Sequence, residues 1–207
     1  MREKRGRFFT MARVNKEYRE GARERIVSAA IDIAAEKGWE AMTLDAIAQA
    51  IGVTTPALYS YFKNRDALQD EVVLRAIRIN QENLKTVVSQ DKNIRQIFRD
   101  YADQAFIRQT RYSAILSNLP LRFLEDPEKR QELARFFKDY SAIVRDSLAR
   151  AQEKGEIPPR VDLDHATRLI NALPIGLKVS SIFLDKLDPA SEKELWIEAV
   201  ERILLLD

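Results

Sequence analysis

The chain has no cysteine, a single histidine, and only six glycines and seven prolines among its 207 residues. The lack of cysteine excludes disulfide bonds, thiolate metal sites and cysteine nucleophiles, and it fits a reducing cytoplasm. The lone His165 gives little basis for a metal centre, so we expect neither a metal nor any other cofactor. Glycine-rich phosphate loops and nucleophile-elbow serine motifs are also missing, which argues against an enzyme.

A long, clean hydrophobic run is missing too. The most apolar window, residues 169–184, contains Asn171, Pro174, Lys178 and two serines. A bilayer span needs roughly 20 predominantly apolar residues, so this window predicts a buried helix instead. The basic N-terminus has too few consecutive apolar residues for a signal peptide. We therefore predict a cytoplasmic protein with no membrane partner.

The residues that are abundant favour helices. Hydrophobic residues make up 45% of the chain, enough for a packed core, and Leu, Ala, Ile, Glu, Arg and Lys dominate. No alternating strand pattern competes with the helical periodicity. The sequence predicts an all-α fold.

Residues 43–68, TLDAIAQAIGVTTPALYSYFKNRDAL, have the spacing of a helix-turn-helix. Thr43 can cap a first helix, and Gly52 supplies the permissive backbone that ends it. The apolar positions of this helix recur with a 3.6-residue period, at Leu44, Ile47, Ala48 and Ile51. The two ends and the periodic face together predict a short amphipathic helix followed by a tight turn.

A second helix follows the turn, capped by Thr54 or Thr55 and with Pro56 at its first position. Leu58 and Phe62 are predicted to point back at the first helix. The opposite face carries small or hydrogen-bonding groups, which suit base edges and phosphates: Thr55, Ala57, Tyr59, Ser60 and Tyr61. Tyr59 and Tyr61 have a second interpretation, as aromatic filling of the small bundle.

Flanking patterns suggest three segments: a basic arm at residues 1–19, a DNA-binding domain at 20–66 and a C-terminal domain at 67–207. The arm shows no helical period, and Met11 is an alternative start to Met1. A helix is predicted from about Glu20 to Lys37, and another leaves the motif after Asn64. Polar residues 89–93 predict an elbow, and further helices follow, one of them bent or interrupted near Pro174.

Charge divides unevenly along the chain. Residues 1–65 contain 12 Lys or Arg and 8 Asp or Glu, whereas residues 66–207 contain 22 and 24. The basic excess therefore accompanies the helix-turn-helix, as phosphate binding requires.

The segment RIVSAAIDIAAEKGWEAMTLDAIAQAIGVTTPALYSYFKNRDAL resembles the N-terminal domain of the TetR family of transcriptional repressors. The resemblance covers about residues 22–70, and beyond them only helix number and length agree. It implies phosphate or groove contacts and base-facing positions at Thr43, Thr54, Thr55, Ala57, Tyr59, Ser60, Tyr61, Lys63 and Arg65. The second helix would be the recognition helix, and none of its residues is Arg, Asn or Gln, so the operator sequence is not readable from the motif.

The resemblance also implies a homodimer that binds a palindromic double-stranded DNA operator and is released by a small-molecule effector. Effector candidates are aromatic residues of the middle helices, whose alternative role is ordinary core: Tyr101, Phe106, Tyr112, Phe123, Phe136 and Tyr140. The apolar face of the last helix is the predicted dimer interface: Leu195, Trp196, Ala199, Val200, Ile203 and Leu204. An effector-independent DNA-organising or interaction protein remains the alternative function.

Overall fold

The structure is a computed structural model that describes residues 3–108, 110–119, 123, 125–183 and 188–206. Across these residues it is helical and contains no strand, which confirms the predicted all-α class. The α-helices are α1 (Glu3–Lys37), α2 (Leu44–Ile51), α3 (Thr55–Tyr59), α4 (Arg65–Val88), α5 (Ile94–Ala102), α6 (Thr110–Ser117), α7 (Pro127–Glu153), α8 (Leu163–Phe183) and α9 (Pro189–Ile203). A short 3₁₀ turn (Trp39–Ala41) precedes α2, and a π-helical stretch (Asp103–Arg108) follows α5.

The chain forms two compact units, Met1–Arg75 and Ala76–Asp207. The division falls inside α4, whereas the sequence predicted a boundary at residue 66. The first turns of α4 belong to the N-terminal unit, and they bury Leu68, Val72 and Val73 completely. This long helix therefore contributes residues to both units.

Helix α1 begins at Glu3, about 17 residues before the predicted start near Glu20. The prediction of a non-helical arm was wrong for residues 3–19. It rested on the missing apolar stripe, but this segment has no proline and is rich in Arg, Lys and Glu, which are good helix formers. Adding residues to a helix that is already nucleated is far less costly than starting one, so α1 continues through a segment without an apolar stripe.

The predicted elbow at residues 89–93 is confirmed, because α4 ends at Val88 and α5 begins at Ile94. Asn93 caps α5 by accepting a 2.9 Å hydrogen bond from the Gln96 N–H. Helix α8, by contrast, is not interrupted at Pro174, which lies inside it. No helix in the described part of the chain combines the length and apolar character needed to cross a bilayer.

The C-terminal unit has a core built from α5, α7, α8 and α9 around a fully buried Trp196. The ring of Phe98, on α5, meets the Trp196 ring edge-on at a centroid distance of 5.8 Å. Leu148 of α7 and Ile170 of α8 complete the same cluster. Burial of these apolar side chains supplies the main driving force for this unit.

Candidate nucleic-acid interface

Helix α2 has the two ends that the sequence predicted. Thr43 has extended backbone dihedrals, and its hydroxyl accepts a 3.1 Å hydrogen bond from the Ala46 N–H. Gly52 adopts the left-handed conformation, with φ 70° and ψ 34°, and ends the helix. A residue with a Cβ is disfavoured there, so Gly52 fixes the sharp turn toward α3.

Helix α3 begins with Thr54 at the N-cap and Thr55 as its first residue, and Pro56 follows in the first turn. The Thr54 side chain makes no cap hydrogen bond. The Thr55 hydroxyl instead donates a 2.6 Å hydrogen bond to Asp45 Oδ1 on α2. This bond ties the two helices of the motif together.

The buried side of α3 is the one that the spacing predicted. Leu58 and Phe62 are buried, at 1% and 2% exposure, and Ile47 of α2 is fully buried. Tyr59, next to Leu58, is 57% exposed and does not fill the bundle. The outward surface therefore contains exposed Thr43, Thr54, Ala57, Tyr59, Ser60 and Lys63, with Thr55 and Tyr61 half-buried.

The hydroxyl groups of this surface differ in what they can still donate. A threonine or serine hydroxyl has one proton. Thr55 gives that proton to Asp45, and Ser60 gives its proton to the Ala57 carbonyl at 2.7 Å. Thr43 uses a lone pair for its cap, a role that leaves its proton for another acceptor.

Arg65 differs from the exposed Lys63 in its surroundings. Its guanidinium donates from Nε to the Met42 carbonyl at 3.0 Å and from Nη2 to the Trp39 carbonyl. Glu40 lies 3.7 Å from the same Nη2. Arg65 therefore fastens the start of α4 to the turn before α2, a structural role that the sequence prediction of a phosphate contact did not include.

Two arginines of α1 that the motif analysis missed contact the end of α3. Arg23 donates to the Tyr61 carbonyl at 3.1 Å, and Arg19 donates to the Ser60 carbonyl at 3.4 Å. The last carbonyls of a helix lack intrahelical partners and are often satisfied by basic side chains. The available signal was the i, i+4 spacing of the two arginines on α1, which does not by itself reveal the partner.

Comparison with known proteins agrees with this geometry. Residues 26–72 match the family model of the bacterial regulatory proteins of the tetR family, and residues 91–205 match the C-terminal model of BetI-type transcriptional repressors. The chain belongs to the TetR family. It is a DNA-binding transcriptional regulator with an N-terminal helix-turn-helix unit and a C-terminal helical unit.

Individual relatives of this TetR-family chain are distant. It is 24% identical over 160 residues to the HTH-type transcriptional regulator UidR of Escherichia coli (strain K12), covering 75% of this chain and 79% of UidR. It is 26% identical over 149 residues to the fatty acid metabolism regulator protein of Bacillus subtilis (strain 168), covering 70% and 75%. A crystal structure of a transcriptional regulator from Saccharomonospora viridis in complex with choline aligns with a TM-score of 0.75 at 14% identity, covering 88% and 96%.

Three predicted effector residues of this TetR-family protein lie in one cluster in the C-terminal unit. The rings of Tyr101 and Phe106 lie 5.6 and 6.2 Å from the Trp196 ring. The Tyr101 and Tyr140 hydroxyl groups hydrogen-bond to each other. Burial raises the pKa of Tyr101, and burial and the Tyr101 neighbour raise the pKa of Tyr140 well above 10.0.

The other three effector candidates have different neighbours. Phe136 is buried, and its ring centroid lies 5.7 Å from that of Tyr140, at the edge of the cluster. Tyr112 contacts the guanidinium of Arg111, and the buried Phe123 ring lies 5.1 Å from Lys129 Nζ.

The predicted dimer residues on α9 divide between two environments. Trp196, Val200 and Leu204 are fully buried in the core of their own unit, so they offer no exposed surface to a second chain. Helical periodicity identifies an apolar face, but only packing shows which part of it the same chain covers. Leu195 is 42% exposed, and Ala199 and Ile203 are half-buried.

Proposed function

We propose that the chain is a homodimeric repressor whose two α3 helices enter successive major grooves of a palindromic operator, roughly 34–36 Å apart. The observation that supports this best is the orientation of α3. Leu58 and Phe62 are buried against the unit, while Tyr59, Ser60 and Lys63 face outward. A helix so anchored presents its polar side to a groove as a rigid surface.

Each DNA contact is assigned from the hydrogen-bonding groups that the side chain does not already use within the protein. In this proposal, the contacts to phosphate or groove edges come from side chains that have a hydroxyl proton or an ammonium group to donate. These side chains are Thr43, Thr54, Tyr59, Tyr61 and Lys63. Ala57 and Ser60 are placed toward the bases. Thr55 and Arg65 keep their predicted place at the motif, but we propose that they act by holding its helices together.

The test begins with a random-sequence DNA library from which the wild-type protein selects duplexes. Gel-shift titrations of a selected duplex over a range of salt concentrations then compare wild type with Lys63→Gln. Each phosphate contact contributes about 0.9 to the slope of log affinity against log salt, so a dimer that loses two lysine contacts should lose about 1.8. Lys138→Gln, an exposed lysine of α7, is the matched control and should leave the slope unchanged.

Dimerisation is proposed to use the outer surfaces of α8 and α9. Leu169 and Ile175 of α8 and Leu195 of α9 are 51%, 45% and 42% exposed. These two helices pack against each other, so the three exposed side chains lie on neighbouring helices of one unit. A second copy of the same surface would cover this apolar area and form a four-helix arrangement.

An effector is proposed to bind at the aromatic cluster around Trp196. The indole N–H of Trp196 is buried and has no hydrogen-bond partner among the described residues. A buried donor without an acceptor costs about 1–3 kcal/mol, which a ligand acceptor atom would recover. Phe106 and Tyr101 lie against the same ring, so a ligand atom at this N–H would have apolar and aromatic neighbours.

Thermal-shift and DNA-release assays test the effector. Choline is the first probe, because aromatic rings attract quaternary ammonium groups and one structural neighbour was solved with choline. A long-chain fatty acid is the second probe, suggested by the name of the Bacillus relative.

A true effector should raise the melting midpoint of wild type and weaken its DNA binding. Trp196→Phe should reduce both effects, while the control Trp39→Phe should keep them. If a broad ligand panel changes neither quantity, the effector-independent function is supported instead.

A further inference from the structure

One guanidinium group connects α1, α4 and the end of α3. Arg23 Nη1 donates to the Tyr61 carbonyl at 3.1 Å, and Arg23 Nη2 lies 3.0 Å from Glu71 Oε2 on α4. The same guanidinium carbon lies 4.4 Å from the centre of the Phe62 ring. Arg23 thus holds the backbone at which the recognition helix ends.

The end of α3 needs such support because the helix is very short. It comprises five residues, Thr55–Tyr59, far fewer than an isolated helix needs to be stable in water. The Tyr61 and Phe62 N–H groups close its last turn on the Leu58 carbonyl, at 2.9 and 3.0 Å. The direction of α3 is therefore set by its anchors, among which the Arg23 contact is polar and directional.

A second ion pair between the same two helices lacks this connection. Arg75 of α4 lies 2.5 Å from Glu24 of α1, and the exposure of the two side chains, 33% and 54%, resembles the 44% and 34% of Arg23 and Glu71. The contact described for Arg75 and Glu24 joins α1 and α4 only. The two pairs therefore differ in whether the arginine also reaches α3.

We propose that Arg23, oriented by Glu71, is a positioning residue that sets the direction in which α3 presents Tyr59 and Ser60 to DNA. The inference rests on the proposed DNA-binding function of this surface. Glu71 is itself an anion and cannot attract phosphate. Its removal should weaken DNA binding if it acts through Arg23, and should leave binding equal or slightly stronger if only net charge matters.

The experiment compares Glu71→Ala with Glu24→Ala in the full-length protein, on a duplex selected by wild type from a random-sequence library. Both changes remove one carboxylate from an ion pair between α1 and α4, so they alter net charge equally. We expect Glu71→Ala to bind about five- to tenfold more weakly, comparable with the loss of one specific contact. Glu24→Ala should bind within about twofold of wild type or slightly more tightly.

Arg23→Lys separates positioning from a direct phosphate contact. Lysine keeps the positive charge, but its single ammonium cannot reproduce the fork that holds Tyr61 and Glu71 together. Positioning predicts a loss similar to that of Glu71→Ala with an unchanged salt slope, whereas a phosphate contact predicts nearly full affinity. Melting midpoints establish that each variant is folded, and Arg23→Lys alone decides the question if Glu71→Ala does not fold.

The outcomes remain distinguishable from failure of the proposed function. If wild type selects no duplex at all, the proposal that this surface binds a specific duplex is overturned. If wild type binds and Glu71→Ala matches Glu24→Ala, the positioning role of Arg23 is overturned while the DNA-binding proposal stands.

Discussion

The Thr55 hydroxyl donates a 2.6 Å hydrogen bond to Asp45 Oδ1, which joins the first turn of α3 to the first turn of α2. This bond uses the single hydroxyl proton of Thr55 inside the protein. A phosphate oxygen can only accept, so Thr55 cannot donate to DNA while it is bonded to Asp45. Thr55, the first residue of α3, therefore holds α2 and α3 together.

Thr55→Val tests this role because it keeps the shape of the side chain and removes the hydroxyl. We expect the free energy of unfolding to fall by about 1 kcal/mol, the usual net value of one hydrogen bond. Thr54→Val is the matched control, since the exposed Thr54 makes no side-chain cap bond and its replacement should change stability little. Urea unfolding followed by circular dichroism measures both. Equal stability of the two variants would contradict the fastening role.

Arg65→Ala should affect stability more than salt dependence. It removes charge-assisted donors from the Met42 and Trp39 carbonyls, and we expect a loss of about 2–3 kcal/mol in the free energy of unfolding. Lys63→Ala should leave that free energy unchanged and flatten the salt slope of DNA binding. The opposite pattern for Arg65, with normal stability and a flatter slope, would restore its predicted phosphate contact.

Exposed and buried residues of the α8–α9 layer should respond differently to charge. Leu195→Glu and Leu169→Glu change exposed positions, so they should leave a folded protein but dissociate the proposed dimer. Val200→Glu puts an unpaired charge into the core and should unfold the C-terminal unit. Sedimentation and circular dichroism measure the two properties. A dimer that persists in Leu169→Glu/Leu195→Glu would place the interface elsewhere.

The hydrogen-bonded pair of Tyr101 and Tyr140 contributes to the free energy of unfolding and makes it depend on pH in the alkaline range. Tyr140→Phe leaves the Tyr101 hydroxyl without its partner and should cost about 1–3 kcal/mol, while the double change to Phe should cost less than the sum of the single changes. Additive losses would show that the two hydroxyl groups are not coupled.

The direction of the pH effect follows from the raised pKa values. The folded state holds the tyrosine protons more tightly than the unfolded chain, so this stabilisation is complete below pH 10.0, the ordinary tyrosine value, and is lost as the pH rises toward the folded pKa values. Unfolding free energies measured between pH 8 and 11 should fall less steeply for the double Phe variant than for wild type.

Local features of the motif were readable from the sequence because their causes are local. The Thr43 cap, the left-handed Gly52 and the burial of Leu58 and Phe62 each depend on residue chemistry and a 3.6-residue period. The helical extension before residue 20 was missed for a related reason. The prediction required an apolar stripe, which a segment that only extends an existing helix does not need.

The roles of the charged and apolar partners were not readable, because they depend on residues far apart in the chain. Arg23 and Tyr61 are separated by 38 positions, and nothing in their spacing indicates that they meet. Likewise, Leu195 and Trp196 belong to one apolar pattern, yet one is 42% exposed and the other fully buried.

The sequence by itself determined the helical class and the presence of a TetR-like helix-turn-helix, since short-range periodicity, caps and turn residues specify both. Tertiary structure alone decided which arginines hold the recognition helix, which tyrosine hydroxyls pair, and which part of α9 belongs to the core. The physical reason is that hydrogen bonding and burial are properties of neighbours in space, which the chain brings together only when it folds.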